Sequence, residues 1–341
     1  MGHDLNEFKS EDPSIQKQIS DEDIKFFQDK WNSAKSEVRK RVTGLDFPTE
    51  LVILTALSRG HVLLEGMPGL AKTLLAKSIS EILDTPFQRV QFTPDLLPAD
   101  LTGTNVFNPK TTEFDIRKGP IFTGVLLADE INRAPAKVQS ALLQCMEERS
   151  VSIGDKTFQL DPDFFVLATQ NPIDQEGTYQ LPEAQMDRFF VKIHVSYPSL
   201  EEELGILNQH GISQSAPKIK PVYSAKDRQK IYKIIDSIYV DERLKLYLLK
   251  LIRNSRPETS ESKDAQTFIR VGASPRASLA LLRLAKAKAL QENRRYVIPE
   301  DIQYYSKEVF RHRILLKYEA IAEEISVETM IEAILDQTEV P

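Results

Sequence analysis

Short apolar runs broken by turn residues fill the first half of the chain, and helix-spaced apolar positions take over from about residue 224. Strands are expected near residues 61–64, 88–92, 124–128, 164–169 and 190–195, and the run at 125–128 is continuously apolar. Continuous runs of this kind suit a parallel sheet covered on both faces. Leu74, Leu75, Ile79 and Ile82 keep helical spacing right after the first run. Two segments alternate instead. Val106 and Phe107, then Phe114 and Ile116, flank Asn108, Pro109 and Lys110, and Val151 and Ile153 precede a Gly154–Asp155 turn before Phe158 and Leu160. Both predict β-hairpins.

Residues 21–42 predict a charged helix carrying Phe26, Phe27, Trp31 and Val38, expected to pack on the α/β part. A helix is expected over 200–209, followed by a linker containing Pro217 and Pro221. Beyond it, Ile231, Ile234, Ile235 and Ile238, then Leu244, Tyr247, Leu248 and Leu251, then Leu279, Leu282 and Leu290 fall at helix spacing. Residues 256–264 are polar and read as a loop. Pro299 with Glu300 and Asp301 opens another helix, and one last helix is expected to carry Ile321, Ile325, Ile331, Ile334 and Leu335. The resulting division is a polar segment and helix over 1–44, an α/β core over 45–197, a linker over 198–222 and a helical domain over 223–341.

The chemistry concentrates at strand ends. Gly66, Met67, Pro68, Gly69, Leu70, Ala71, Lys72 and Thr73 join the first strand to its helix. Strand, Gly-rich turn, Lys-Thr and helix is the layout of a phosphate-binding loop, in which backbone N–H groups and a helix N-terminus cradle an anion. Lys72 can reach the β- and γ-phosphates of ATP, and the Thr73 hydroxyl can ligate Mg²⁺. The common pattern places Gly before the Lys, where this chain has Ala71. Taken alone, the segment also reads as a Gly/Pro turn that starts a helix.

The run at 125–128 ends in Asp129 and Glu130, an Asp suited to holding Mg²⁺ and a Glu suited to activating water. The run at 164–169 ends in Gln170, Asn171 and Pro172, where an Asn amide can bond the attacking water or the γ-phosphate, or simply begin a turn.

Composition narrows the class. The chain has 341 residues, 41% hydrophobic and 28% charged, enough for a sizeable core in two or more domains. Its one cysteine, Cys145, shares an apolar helix face with Val138, Leu142 and Met146 and reads as a packed core residue. The absence of any membrane-length apolar run argues against membrane insertion. The N-terminal residues resemble neither a signal peptide nor a myristoylation site, so a cytoplasmic location is expected. The histidines are scattered without metal-ligand spacing. A net charge of −6 argues against nucleic acid as a main partner, although residues 270–295 are locally basic.

With these segments in order, the chain resembles the MoxR family of AAA+ ATPases. The resemblance rests on residues 66–73 (Walker A), 124–133 (Walker B), 168–172 (sensor 1) and 181–189, and extends from about residue 40 to about 340. It implies a P-loop AAA+ three-layer core with a parallel sheet and hairpin inserts, followed by an all-α lid. It also implies Mg-dependent ATP hydrolysis, with Glu130 and Asn171 placing water and Ala71 normal for the family. Arg188 would be the arginine finger reaching a neighbouring subunit, and Arg276 would be sensor 2. Arg133 and Arg149 are further interface candidates. A homo-oligomeric, most often hexameric, ring is implied, as is chaperone-like remodelling of partners that often carry a von Willebrand factor A domain. Related readings are the motor of a metal chelatase, a helicase-like nucleic-acid motor, and a module that uses ATP only as a switch.

Overall fold

The computed structural model describes residues 19–172, 179–210 and 217–341. The chain forms two compact units: one is Ser33–Ala225, and the other combines residues up to Asn32 with Lys226–Pro341.

The first unit is built on a five-stranded parallel sheet. Its strands are β1 (Val62–Gly66), β2 (Phe87–Gln91), β5 (Val125–Asp129), β8 (Phe165–Gln170) and β9 (Val191–Val195), in the order β2-β5-β8-β1-β9. Register aligns Val62 with Leu167 and with Val191, and Leu127 with Arg89 and with Leu167. All five residues of β5 are buried, as a central parallel strand covered on both faces requires. The helices of this unit are α2 (Asp46–Leu57), α3 (Lys72–Ile82), α4 (Pro98–Thr102), α5 (Ala136–Glu148), α6 (Glu183–Met186) and α7 (Leu200–His210).

One core gathers Leu63, Leu126 and Val166 of the sheet with Leu142, Cys145 and Met146 of α5. Burial, aided by Glu148, pushes the Cys145 thiol up to about 11. At the sheet edge, Glu65 pairs with Lys192 at 2.9 Å and His194 at 2.8 Å. Burial alone would raise the Glu65 carboxyl; the His194 hydrogen bond and the Lys192 charge hold it down at about 2.

Both expected hairpins form. β3 (Gly103–Asn108) pairs with β4 (Glu113–Lys118), and β6 (Ser150–Ile153) pairs with β7 (Lys156–Gln159). Phe107 and Phe114 meet edge to face at 5.5 Å on the first hairpin, yet stay 52% and 68% exposed.

The second unit contains α8 (Ala225–Ser237), which begins at its boundary, then α9 (Glu242–Asn254), α10 (Lys263–Phe268), α11 (Pro275–Gln291), α12 (Pro299–Tyr304), α13 (Ser306–Phe310), α14 (Tyr318–Ala322) and α15 (Val327–Gln337). A small antiparallel pair, β10 (Ile269–Val271) and β11 (Leu315–Leu316), interrupts the helices and has no counterpart in the sequence reading.

The first helix, α1 (Asp21–Arg39), divides between the units. Through Asn32 it belongs to this one, where Gln28 Nε2 donates to the carbonyls of Leu290 and Gln291 at 2.7 and 2.9 Å and Lys30 pairs with Asp227 at 2.8 Å. From Ser33 it belongs to the first, as expected, where Lys35 pairs with Glu50 at 2.8 Å. One expectation is corrected here. The last helix is two, because Glu324 takes a left-handed φ of 57° and Ser326 caps α15 through the Thr329 N–H. Ile321 is 65% exposed. Among the described residues, no helix is long and apolar enough to cross a membrane.

Candidate active site

A cavity of about 410 Å³ opens at the carboxyl ends of β1, β2, β5 and β8, where ligands gather in parallel sheets. Gly66, Pro68, Gly69, Leu70, Ala71, Lys72 and Thr73 line it with Asp129, Glu130 and Asn171. Arg89, Gln91, Thr169 and Gln170 complete much of the wall. Met67 does not line the cavity; its carbonyl accepts from Lys72 Nζ at 2.9 Å, as does that of Gly66.

Local sequence explains the loop. Gly66 lies so close to β9 that a Cβ would come within 2.7 Å of the Val195 carbonyl oxygen. Gly69 has open space around it but a φ of 86°, so glycine is required there by conformation. Ala71 also adopts a left-handed φ, 53°, at the start of α3, a conformation that costs a non-glycine residue about 1–2 kcal/mol. Burial lowers the Lys72 ammonium pKa, while the charges of Asp129 and Glu130 oppose the shift.

The acids are held by a tight polar network. Thr169, 1% exposed, donates its hydroxyl to Asp129 Oδ1 at 2.6 Å and accepts from the Glu130 N–H at 2.8 Å. The second oxygen of Asp129 accepts from Arg89 Nε at 3.0 Å and Nη2 at 2.7 Å. Glu130 has a left-handed φ of 56°. Its Oε2 accepts from Gln91 at 2.7 Å and Arg133 at 3.0 Å. Asn132, 3% exposed, donates to the Asn171 carbonyl at 3.3 Å. Gln139 ties α5 to the same loops through the carbonyls of Ile131 and Tyr179, both at 3.1 Å.

These residues suit a nucleotide triphosphate with magnesium. No side chain caps the first turn of α3, so its leading N–H groups are available to an anion in the cavity that Leu70–Leu74 border. The Gln170 Oε1 is buried without a hydrogen-bond partner. One carboxylate and a hydroxyl are the protein ligands magnesium commonly takes beside phosphate oxygens. Among the described residues, no cluster of three His, Cys, Asp or Glu side chains forms a separate metal cage.

Besides Met67, two sequence candidates lie outside the cavity lining. Arg188 donates to the Leu143 carbonyl at 2.5 Å and pairs with Glu147 at 3.0 Å. Arg276 sits in the first turn of α11 in the other unit, its N–H bonded to Ser274 Oγ at 3.0 Å. Of the additional arginines, Arg133 is engaged with Glu130, and Arg149 bonds the Pro162 carbonyl. The sequence reading missed Arg89, Gln91 and the Thr169 relay. The available signal was the alternation of Arg89 and Gln91 around buried Val90 on β2, which sends both polar side chains to one face.

Comparison with known proteins agrees with this geometry. The family model described as the ATPase family associated with various cellular activities (AAA) matches residues 61–191, and the AAA lid domain model matches 261–334. The chain is 45% identical over 306 residues to Chaperone MoxR1 of Mycobacterium tuberculosis, covering 89% of this chain and 81% of that protein. It is 30% identical over 348 residues to Protein MoxR of Paracoccus denitrificans, covering 93% and 96%. The crystal structure of a candidate ATPase from Cytophaga hutchinsonii superposes with a TM-score of 0.88 at 43% identity, covering 94% of this chain and 97% of that one. The fold is that of an AAA-type ATPase, an enzyme that binds and hydrolyses ATP. Within that class the chain belongs to the MoxR family.

Proposed function

We propose that the cavity hydrolyses Mg-ATP within a ring of identical subunits, and that the resulting motion remodels partner proteins. The observation that carries this reading is the convergence of Lys72, Asp129, Glu130 and Thr169 on one cavity. Lys72 and the N–H groups leading into α3 bind the phosphates. Thr73 and Asp129 hold magnesium, which when bound neutralises charge building on the transferred phosphoryl group. Glu130 directs Oε2 to Gln91 and Arg133, and its other oxygen takes the proton of the attacking water. Asn171 helps place that water.

Arg188 works in trans, which accords with its position outside its own subunit's cavity lining. An arginine finger contributes roughly 10³–10⁵ in rate. Arg276 serves as the lid's phosphate sensor. A hexamer is the assembly expected of the superfamily.

The likeness to a protein named as a chaperone supports a chaperone-like role. Maturation or metal and cofactor insertion in partners bearing a von Willebrand factor A domain is the form we favour. Glu130→Gln protein, charged with ATP, should retain such a partner in pull-down, and the partner should stimulate the parent ATPase. Stimulation by DNA or RNA with no response to such a domain overturns the partner assignment in favour of a nucleic-acid motor.

A further inference from the structure

The bond between Arg89 and Asp129 has a chemical consequence for the cation. In a parallel sheet, β2 and β5 run side by side, with Gln91 level with Asp129 and Arg89 two residues earlier, level with Leu127. Arg89 therefore approaches the acid obliquely and places both Nε and Nη2 on one oxygen, Oδ2. The other oxygen is occupied by the Thr169 hydroxyl. Both oxygens of Asp129 are thus committed within the protein. The guanidinium continues the chain: Nη2 also donates to Gln91 Oε1 at 2.9 Å, and Gln91 Nε2 donates to Glu130 Oε2 at 2.7 Å. One cation on β2 reaches both acids, directly and through one amide.

We propose that Arg89 is a positioning residue that competes with magnesium for Asp129 and so sets the cation concentration at which the nucleotide site is loaded. This rests on the assignment of Asp129 to magnesium. A guanidinium and a divalent cation seek the same lone pairs, and both cannot hold Oδ2 in the plane of the carboxylate at once. The Arg89 side chain is 48% exposed and that of Asp129 only 12%, so Arg89 has solvent to swing into while the acid stays fixed by Thr169. Release of Arg89 also frees the Gln91 carbonyl. Loading of the cation is thereby coupled to the hydrogen bond that Gln91 makes to Glu130. A half-solvated pair is a modest competitor, consistent with an exchange worth roughly two- to fivefold in cation affinity.

The test is a magnesium titration of nucleotide binding, followed with a fluorescent ADP analogue on the full chain. Arg89→Gln should lower the magnesium concentration at half-saturation roughly two- to fivefold, and should weaken magnesium-free binding because a pocket cation is gone. Arg89→Lys keeps the charge but loses the two-pronged contact, and should fall between parent and Arg89→Gln. A merely structural role would leave the magnesium midpoint unchanged or raise it. An unchanged or raised midpoint in folded Arg89→Gln, or parental behaviour in Arg89→Lys, overturns the competition. Absence of any nucleotide binding by the parent would instead overturn the assignment of the cavity.

Discussion

Replacing Thr169 by Val removes one oxygen atom while preserving volume, and that oxygen joins the two acids of the site. Its hydroxyl donates to Asp129 at 2.6 Å and accepts from the Glu130 N–H at 2.8 Å, in a position 1% exposed. A hydrogen bond to a charged group contributes about 1.5–3 kcal/mol and one between neutral groups about 1 kcal/mol. The Val variant should therefore lose roughly 3 kcal/mol, a large share of the ~5–15 kcal/mol that holds a typical domain together. Thr169→Ser keeps the hydroxyl and deletes one methyl group, at a cost of about 1 kcal/mol. Urea unfolding of the two variants beside the parent measures the difference. Magnesium-free nucleotide affinity should persist in both folded variants, because the Lys72 loop does not use Thr169. Turnover should drop in Val alone, since Glu130 loses the bond that anchors its left-handed backbone. Equal stability and equal turnover of the Val and Ser variants would refute the relay.

Glu130→Gln should bind ATP with parental affinity and lose most hydrolysis; phosphate release at the parental rate would move the base elsewhere. Arg188→Ala should bind ATP but turn over roughly 10³-fold or more slowly, and mixing it with Lys72→Ala under subunit exchange should restore part of the activity. No recovery in such mixtures counts against a shared site. His61 supplies a pH test. Burial and the Arg149 charge push its imidazole down to about 4, and its Nδ1 accepts the Val166 N–H at 3.0 Å. The unfolded chain protonates near 6.5 while the folded chain does not, so stability present above that pH is lost progressively as pH falls towards 4, by at most about 3 kcal/mol. Melting temperature across that window should fall less steeply in His61→Gln than in the parent.

Legibility in the sequence follows distance along the chain. Residues 66–73 and the Asp129–Glu130 pair are contiguous, and each carries its strand and turn with it, so their meeting in one cavity could be read from order alone. The central strands β5 and β8 announced themselves because buried parallel strands are nearly uniformly apolar, whereas β2, with Gln88, Arg89 and Gln91, carries no such run. Arg89 and Gln91 reach the acids only through β2–β5 register, which no local pattern encodes. His61 looked like a scattered histidine because its partner, Val166, lies on β8. The division of the last helix at Glu324 was hidden for another reason: a single left-handed residue breaks a helix without disturbing apolar spacing on either side. The small β10–β11 pair joins segments more than forty positions apart, beyond the reach of periodicity.

Cys145, the chain's single cysteine, is buried with its thiol pushed up to about 11, and this has a practical use. At neutral pH it presents almost no thiolate, so maleimide dyes should pass it by in the native protein. A cysteine introduced at the exposed Phe107 or Phe114 position would then take a fluorophore selectively without any prior cysteine removal, giving a reporter on the hairpin with the native interior left intact.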